Sequence, residues 1–269
     1  MPIFKCKTNE AYSIKILSEL LTNNIKTGYF SIDKNGINLR IMDHPQLTLI
    51  DMSLYSENFS SYNFQSNDKE KLCIGLNLNH FHKILKSIKK KDSLQMNINT
   101  DSSDELQIKT IPKEKTRTTT SFIKILNIQV LDIEVPTGYG RPVVVNSSEF
   151  QKMCKDICSI GSNNIKVVSK NFYIEFIADV DSIIKRSVSF GDDEEDDSTE
   201  EKKESDVIES TFSTDQVQRI MKIAGLNTKL QIYTGRDLPI LFRSNVGNLG
   251  TISVYLKSKE MIKKETTTY

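Results

Sequence analysis

Tryptophan is absent from this sequence, and its 269 residues include only three histidines and four cysteines. None of the cysteines belongs to a CxxC pair, so the spacing typical of a structural zinc site is missing. Cys154 and Cys158 lie one turn apart on a predicted helix, and we interpret them as buried apolar thiols rather than metal ligands. This sparing use of cysteine predicts a reducing compartment, the cytosol or the nucleus.

Long apolar runs are also missing. No segment approaches the roughly 18 consecutive apolar residues that a membrane-spanning helix requires. The N-terminal stretch MPIFKCKTNE has no apolar core of the kind found in secretory signals. We therefore expect no membrane partner. The composition, with 38% apolar and 26% charged residues, is typical of a globular protein of one or two domains.

Catalytic motifs are scarce as well. The sequence contains no P-loop, no GxSxG elbow and no dinucleotide-binding fingerprint. His80 and His82 lie two positions apart on a predicted helix, so they point about 200° apart and cannot share a metal ion by themselves. We expect a protein without catalytic residues, metal or cofactor. The enzymatic alternative is a nuclease or polymerase subunit with hidden active-site carboxylates.

Charge is unevenly distributed along the chain. The formal net charge is +1, but residues 192–206, DDEEDDSTEEKKESD, hold ten acidic residues and two lysines. The rest of the chain has 34 basic and 25 acidic residues, a net charge of +9. Because the acidic run has no apolar residue, it cannot offset the entropy of ordering, and we predict a disordered loop over 191–206. Either this loop has no special role, or it keeps nucleic acid away from one edge.

The apolar pattern is mostly that of β-strands. Eight runs are rich in β-branched and aromatic residues, and several alternate apolar with polar residues. They cover residues 28–32, 37–42, 47–54, 94–100, 165–169, 172–178, 229–234 and 251–256. Asn35-Gly36, between the first two runs, predicts a hairpin. Helical windows at 10–22, 78–90, 147–159 and 213–224 separate groups of strands. This order indicates an α+β fold with antiparallel sheets.

The order of elements occurs twice. Residues 1–122 read as strand, helix, strands, helix, strands, and the second half repeats this order without a clear opening strand. Between them lies an apolar stretch that ends in proline and glycine residues. We predict two similar domains, 1–122 and 143–269, joined by an extended connector at 123–142. The alternative is that the connector is one more hairpin.

Three of the helical windows carry the same basic pattern. FHKILKSI (81–88), FQKMCKDI (150–157) and VQRIMKIA (217–224) each place two cations three residues apart, opposite an apolar stripe. The pairs are Lys83 with Lys86, Lys152 with Lys155, and Arg219 with Lys222, and Lys15 is a weaker counterpart in the first helix. One such helix is usually a solvated face. Three in a repeated chain predict one basic surface, suited to duplex DNA without sequence preference.

Five stretches, in order along almost the whole chain, carry a family resemblance. They are GINLRIMDHPQLTLIDMSL (36–54), NLNHFHKILK (77–86), LDIEVP (131–136), SSEFQKMCKDICSIG (147–161) and LPILFRSNVGNLGTISVYL (238–256). These stretches closely resemble the proliferating cell nuclear antigen (PCNA) family of sliding clamps. The similarity covers the family's first signature, its second and third helices, the end of its interdomain connecting loop and its final strands.

The resemblance implies a ring of three subunits, each with two clamp domains. Four helices per subunit would line the hole, where the seven cations named above face duplex DNA, and antiparallel sheets would form the outside. The ring closes head to tail, with the strand at 117–125 paired to the strand at 172–178 of the neighbouring subunit. The interface residues implied by position are Ser121, Phe122, Ile123, Tyr173, Ile174, Glu175 and Phe176.

The resemblance also implies a site on the outside of the ring. An apolar pocket beneath the connecting loop would take the aromatic pair of a short motif in partner proteins. By position, its residues are Met42, Leu47, Leu49, Ile133, Val135, Pro136, Pro239 and Tyr255. Taken singly, each is equally an ordinary core residue. The implied partners are DNA polymerase, other motif-bearing proteins and a clamp loader, in the nucleus or in a viral replication compartment of an infected cell.

Several positions depart from the family pattern. Where most members have Leu-Ala-Pro-Lys, the chain reads Leu256-Lys257-Ser258-Lys259. This change alters the segment along which partner peptides would form backbone hydrogen bonds. Gln46 replaces a usual histidine, and the acidic run and the polar run at 101–121 are longer than in the family. These departures indicate a diverged member, with a large DNA virus as one interpretation of its source. The alternative function is a clamp-fold accessory factor that acts as a monomer, dimer or heterotrimer.

Overall fold

The computed structural model describes residues 2–65, 70–114, 117–127, 132–191 and 207–267. The chain divides into two units. The first comprises Met1–Glu134, Gly225–Asn227 and Asn245–Ser253, and the second comprises Val135–Ala224, Thr228–Ser244 and Val254–Tyr269. The predicted acidic loop, from residue 192 onward, and residues 128–131 of the predicted connector lie outside the described residues. The domain limits at 122/123 and 142/143 remain predictions.

The first unit contains two antiparallel sheets and two helices. In chain order its elements are β1 (Pro2–Thr8), α1 (Ala11–Asn24), β2 (Thr27–Asp33), β3 (Gly36–Met42), β4 (Thr48–Tyr55), β5 (Ser61–Phe64), β6 (Leu72–Asn77), α2 (Leu78–Leu85), β7 (Ser93–Asn99), β8 (Ser102–Ile111) and β9 (Thr119–Lys124). The strands pair as β5-β1-β7-β8-β9 and as β6-β2-β3-β4. A single antiparallel bridge between Gly75 and Leu126 joins the end of one sheet to the chain that leaves the other.

The second unit has the same plan with one additional helix. Its elements are β10 (Val143–Asn146), α3 (Ser147–Ser159), β11 (Asn164–Lys170), β12 (Tyr173–Val180), β13 (Ile184–Phe190), β14 (Ile208–Ser213), α4 (Thr214–Ile220), β15 (Lys229–Tyr233), β16 (Ile240–Val246), β17 (Gly250–Leu256) and α5 (Lys259–Thr267). The strands pair antiparallel as β13-β12-β11-β14 and as β10-β15-β16. Residues 245–253, at the end of β16 and the start of β17, belong to the first unit.

The core of each unit follows from the periodicity of its segments. On β1, Phe4 and Cys6 are buried while Lys5 between them is exposed, as expected for a strand with one face on the core. On α3, Phe150 is fully buried and its ring lies 5.5 Å from that of Phe242. Burying one such side chain stabilises the fold by about 1.5–3 kcal/mol. These apolar faces fix the rotation of each helix, so its polar face is turned to solvent.

The predicted hairpin at Asn35-Gly36 is confirmed. Of these two residues, only Gly36 adopts a positive φ. The Asp33 carboxylate accepts hydrogen bonds from the backbone N–H groups of Asn35 and Gly36 at 2.7 and 3.1 Å. Gly36 has φ of 153°, and a Cβ there would lie 2.0 Å from the Leu54 carbonyl oxygen. Only glycine fits this approach of β3 to β4.

Most of the predicted architecture is confirmed, including the α+β class, the eight strand runs and the repeated order of elements. The helical window 78–90 was too long, because α2 ends at Leu85 and the remaining residues form turns. The fourth helical window is only partly α-helical, because α4 ends at Ile220 and the chain continues as a 3-10 turn over Met221–Gly225. The sequence prediction missed α5 and the strand β8, which lies in the polar run 101–121 and buries only Leu106 and Ile108.

Candidate DNA-facing helices and partner-docking residues

Helix α2 presents the first predicted basic pair on a short amphipathic helix. Asn77 caps its N-terminus, because its side-chain oxygen accepts a hydrogen bond from the backbone N–H three residues on at 3.0 Å. Phe81 and Leu85 are buried, which turns Lys83 to solvent. Lys86, the first residue after the helix, is exposed as well. Both predicted cations are therefore accessible to a phosphate.

Lys15 differs from the other predicted cations because its ammonium is engaged within the unit. The side chain is half-buried. Its Nζ donates a hydrogen bond to the Ile88 carbonyl at 3.0 Å and lies 5.5 Å from the centre of the Tyr12 ring, within range of a cation–π interaction. Through this hydrogen bond, helix α1 fixes the position of Ile88, in the segment that follows α2.

The turn after α2 contains basic residues that the sequence prediction missed. Lys89, Lys90 and Lys91 are all exposed, and Lys90 Nζ lies 5.9 Å from the centre of the Tyr12 ring. Three consecutive lysines were the available signal. The predicted helix over 78–90 conceals this signal, because neighbouring side chains on a helix point in different directions. As a turn, the three extend the basic surface begun on α2.

Helix α3 carries the second basic pair, with a carboxylate beside it. Lys152 and Lys155 are exposed, and Lys152 Nζ lies 2.8 Å from Glu149 Oε1. The hydrogen bond from Lys152 to Glu149 and the charge of Glu149 raise the pKa of Lys152 above its ordinary value. Because both side chains are solvent-exposed, this ion pair is weak, and a phosphate can replace the carboxylate.

Helix α4 carries the third basic pair in a well-capped but short helix. Ser213 and Gln216 form a capping box, in which each side chain satisfies the backbone N–H of the other. Arg219 forms an ion pair with Asp215 one turn earlier. Lys222 lies in the 3-10 turn that follows and is half-buried. The second unit therefore places carboxylates among its predicted DNA-facing cations, whereas the turn after α2 is almost purely basic.

The eight residues predicted for partner docking fall into two groups by exposure. Those that are partly exposed are Met42, Leu47, Ile133, Val135 and Pro136. Those that are buried are Leu49, Pro239 and Tyr255. A partner side chain can therefore touch the first group directly, whereas the second group is not exposed to it.

The loop that presents Leu47 is held by one buried carboxylate. Asp43 is 6% exposed, and its Oδ1 accepts hydrogen bonds from the backbone N–H groups of Leu47 and Thr48 at 2.8 and 2.9 Å. Gln46 adopts a positive φ of 57° within this loop, which an L-residue takes at some cost. Charge-assisted hydrogen bonds of this kind are strong, and they keep the loop in one conformation.

The described residues 132–142 of the predicted connector are hydrogen-bonded within each of the two units. In the first unit, the Arg40 guanidinium donates to the Ile133 carbonyl at 3.3 Å and also pairs with Asp51 at 2.9 Å. In the second unit, the Tyr139 hydroxyl donates to the Pro239 carbonyl at 2.7 Å. The sequence prediction missed both Arg40 and Tyr139, since neither is apolar and partner docking was assigned to apolar residues only.

Of the two strands predicted to pair across the subunit interface, β9 lies at the edge of its sheet and β12 does not. Ser121, Phe122 and Ile123 lie on β9, an edge strand among the described residues, and Phe122 is 58% exposed. Tyr173, Ile174, Glu175 and Phe176 lie on β12, which pairs with β11 on one side and β13 on the other. The backbone of β12 therefore has no open edge for a neighbour. The edge strand on the β12 side of this sheet is β13.

The sequence of β13, IKRSVSF, explains why it was overlooked. Its residues are mostly exposed, including Lys185 and Arg186, and polar or charged residues are common on edge strands because they discourage unwanted pairing. A groove of about 430 Å³ lies beside β13, between it and β10 and α3. Its apolar lining is Val144, Val145, Met153, Val188 and Phe190, and polar residues, among them Glu149 and Lys152, line the rest.

The described residues contain no group of three or more histidine, cysteine or acidic side chains placed to hold a metal ion. Cys154 is buried, as predicted, whereas Cys158 is half-buried. Burial raises the pKa of the Cys6 thiol to about 12 and raises those of Cys154 and Cys158 as well, so these thiols stay protonated and poorly reactive. Across the same described ranges, no helix has the length and apolarity needed to cross a membrane.

Comparison with known proteins relates the whole chain to one family. Residues 3–134 match the family model for the N-terminal domain of proliferating cell nuclear antigen, and residues 135–259 match that for its C-terminal domain. The chain is 23% identical over 254 residues to a probable DNA polymerase sliding clamp 1 of Paramecium bursaria Chlorella virus 1, covering 93% of this chain and 94% of the relative. It is 22% identical over 261 residues to the proliferating cell nuclear antigen of Chaetomium thermophilum, covering 96% and 98%.

The two matched domains meet at residues 134 and 135, where the structure also passes from its first unit to its second. Each matched domain contains one helix pair and its sheets. Together they account for all but the ends of the sequence, and the chain therefore belongs to the proliferating cell nuclear antigen family.

Proposed function

We propose that three copies of this chain close a ring around duplex DNA and tether DNA polymerase and other enzymes to it. Membership of the family makes the chain a DNA sliding clamp, a scaffold without catalytic activity of its own. The observation that carries the ring proposal is that β9 in the first unit and β13 in the second each end a sheet, with no strand paired to their outer edge among the described residues. Two different edges that pair with each other form a head-to-tail contact, which closes when each step rotates by a third of a turn.

The groove beside β13 supports this pairing. Phe122 is a large apolar side chain at an exposed position on β9, where it would be a liability in a monomer. The apolar lining of the groove offers such a side chain a place to be buried. Lys152 and Glu149, which also line the groove and are exposed, would then set orientation more than affinity, because exposed charges contribute little energy.

The exposed basic pairs suit contact with a phosphate backbone. Lysine and arginine side chains displace condensed counterions from DNA without reading its bases. The aromatic residues of these helices, such as Phe81 and Phe150, are buried, so they do not form a stacking platform for single strands. A ring held by topology needs only such weak and sequence-independent contacts, which let it slide.

Partner proteins would dock on the surface formed by the partly exposed apolar residues. Leu47 is presented by the Asp43 loop, and Ile133 is held by Arg40. A short motif with one or two aromatic anchors obtains most of its binding energy from burying those side chains. A clamp loader would open the ring at one subunit junction, and the protein would act at sites of replication in the nucleus or in a virus-infected cell.

Two measurements test the ring. Native mass should be about three times the 30.7 kDa of one chain, and protein loaded onto nicked circular DNA should be retained but released when the circle is cut. A stable monomer, dimer or mixed complex would favour the accessory-factor alternative. Metal-dependent turnover of DNA would instead favour an enzyme. Release from intact circles would contradict encirclement.

The basic surface has its own test. Replacing Lys83, Lys86, Lys152 and Lys155 together by alanine should weaken DNA association and reduce its salt dependence. The slope in a plot of log K against log salt should fall by about 0.9 for each phosphate that the protein no longer neutralises. An unchanged slope would count against these residues as DNA-binding residues, whatever the oligomeric state.

A further inference from the structure

We propose that the turn formed by Lys89, Lys90 and Lys91 is a second phosphate-binding element of the first unit, positioned by Lys15 and Tyr12. It would contact the DNA backbone in addition to the pair on α2. This inference rests on the proposed function in one respect only, that the anionic ligand is duplex DNA.

The turn has a defined conformation. Ile88, which precedes it, is 2% exposed and anchors it in the core. The Asp92 N–H donates to the Lys89 carbonyl at 3.1 Å, and the Lys89 N–H donates to Asp92 Oδ2 at 2.9 Å. These two hydrogen bonds close a four-residue turn with Lys90 and Lys91 at its tip. The ammonium groups are therefore attached to an ordered backbone, which lowers the entropy lost when they bind.

The segment from α2 through the turn is almost entirely positively charged. Residues 83–92 hold five lysines and one aspartate, and that aspartate already accepts a hydrogen bond from the turn's backbone. The Lys15 and Lys90 ammonium groups both lie close to the Tyr12 ring, at 5.5 and 5.9 Å from its centre. Two cations beside one ring repel each other, and an anion near them relieves that repulsion.

The exposure of these lysines indicates a polyanion rather than a small anion. A site for a single phosphate normally offers a concave cradle of buried donors, whereas Lys89, Lys90 and Lys91 stand on a convex turn and are exposed. A row of exposed cations is suited to successive phosphates, where release of condensed counterions supplies the driving force. A DNA backbone provides that row.

Lys15 acts in this arrangement as a positioning residue. Its ammonium fixes the carbonyl of Ile88, one residue before the turn, and lies against the same ring as Lys90. An arginine at position 15 keeps a donor and a cation for the ring. A methionine keeps the apolar stem but removes both.

The test is the salt dependence of association between the full chain and a linear DNA duplex, measured by fluorescence anisotropy between about 50 and 200 mM salt. In the variant Lys89→Ala/Lys90→Ala/Lys91→Ala the slope should fall by about 0.9 for each phosphate that is no longer bound, up to about 2.7. The matched control replaces three other exposed lysines of the unit, Lys5, Lys34 and Lys113, and should keep the wild-type slope. A triple variant that is folded and retains the wild-type slope and affinity would overturn the proposal.

A double-variant comparison tests the positioning role. Lys15→Met alone should lower the slope and Lys15→Arg should restore it, while Lys15→Met added to the triple variant should lower the slope no further. A further fall of about 0.9 in that background would mean that Lys15 binds phosphate itself, and would overturn its positioning role. Because these measurements use linear duplex, they are independent of retention on circles, so failure of the ring proposal and failure of this one are distinguishable.

Discussion

The hydroxyl of Tyr139 donates a hydrogen bond to the carbonyl of Pro239 at 2.7 Å. The Tyr139 ring also lies 6.1 Å from the Tyr233 ring and 6.2 Å from the Tyr255 ring. Burial, with a smaller contribution from Tyr255, raises the pKa of Tyr139 well above its ordinary value, so its hydroxyl remains a donor in mild alkali. One side chain thus holds the connector to the second unit both by packing and by a hydrogen bond.

Replacing Tyr139 by phenylalanine should keep the ring contacts and remove the hydrogen bond. The free energy of unfolding should fall by about 1 kcal/mol, the usual net value of such a bond, and amide exchange should quicken around residues 137–140. Urea unfolding and hydrogen exchange measure these effects. Tyr233→Phe is the matched control, because its hydroxyl donates to Gln231, two residues away on the same strand. Equal exchange rates in the two variants would show that the Pro239 bond does not hold the connector.

The Asp43 loop should be sensitive to loss of its carboxylate. Asp43→Ala leaves two backbone N–H groups, those of Leu47 and Thr48, without their acceptor. We expect a decrease of about 2–3 kcal/mol in the free energy of unfolding and weaker binding of motif peptides, since Leu47 loses its fixed position. Calorimetry with peptide and denaturant unfolding check the two parts. Asp101→Ala, at an exposed position, should change neither.

Local periodicity was sufficient to predict the elements that build the cores. On α3, burial of Phe150, Met153 and Cys154 follows the 3.6-residue period, and on β12 burial of alternate residues follows the period of two. These patterns are properties of short segments, so they can be read without knowing what the segment packs against.

Features that depend on distant partners were not predictable in this way. Helix α5 begins where Ser258 accepts a hydrogen bond from the Met261 N–H, but it buries no residue fully and is held by its packing against β14. The edge position of β13 depends on which strands surround it. Tyr139 acquires its role from Pro239, 100 residues away. Each of these requires the tertiary structure.

The docking of α5 should depend on pH through Glu260. Its Oε2 accepts a hydrogen bond from the Thr211 N–H on β14 at 3.0 Å. Burial alone would raise the pKa of Glu260, but the hydrogen bonds from Thr211 and neighbouring groups outweigh it, and the pKa is lowered. A lowered pKa in the folded state means that this stabilisation is complete above the unfolded pKa of about 4.3. It is lost as the pH falls through the folded value.

The measurement is the protection of the Thr211 amide against hydrogen exchange as the pH is lowered. Protection should decline below about pH 4.3 in the wild type, and in Glu260→Gln, whose amide oxygen accepts only a weaker neutral hydrogen bond, it should be lower and not change with pH. Glu265→Gln removes a carboxylate of the same helix that pairs with Lys257, and it should leave the wild-type pH dependence of Thr211 in place. A wild-type amide whose protection does not change with pH would mean that α5 is held by its other contacts.

The exposed aromatic on β9 provides the last prediction. Phe122→Asp should not unfold the subunit, because the side chain is 58% exposed and its removal creates no cavity. In the assembled ring the same position would carry a charge into the groove between β10, α3 and β13 of the next subunit, against its apolar residues Val144, Val188 and Phe190, where burying a carboxylate is unfavourable. Native mass should therefore fall from about three chains to the 30.7 kDa of one, and the protein should no longer be retained on circular DNA.

The control for Phe122 is Tyr55→Asp, which places the same charge at another exposed aromatic of the same unit, 42% exposed, away from both strand edges. It should leave the oligomer intact. A second variant, Val188→Asp, introduces the charge from the groove side on β13. Because aspartates on opposite sides of one junction act on the same interface, the double variant should be no more dissociated than either single one. A trimer that survives Phe122→Asp but not Val188→Asp would place the junction on β13 and exclude β9 as its partner.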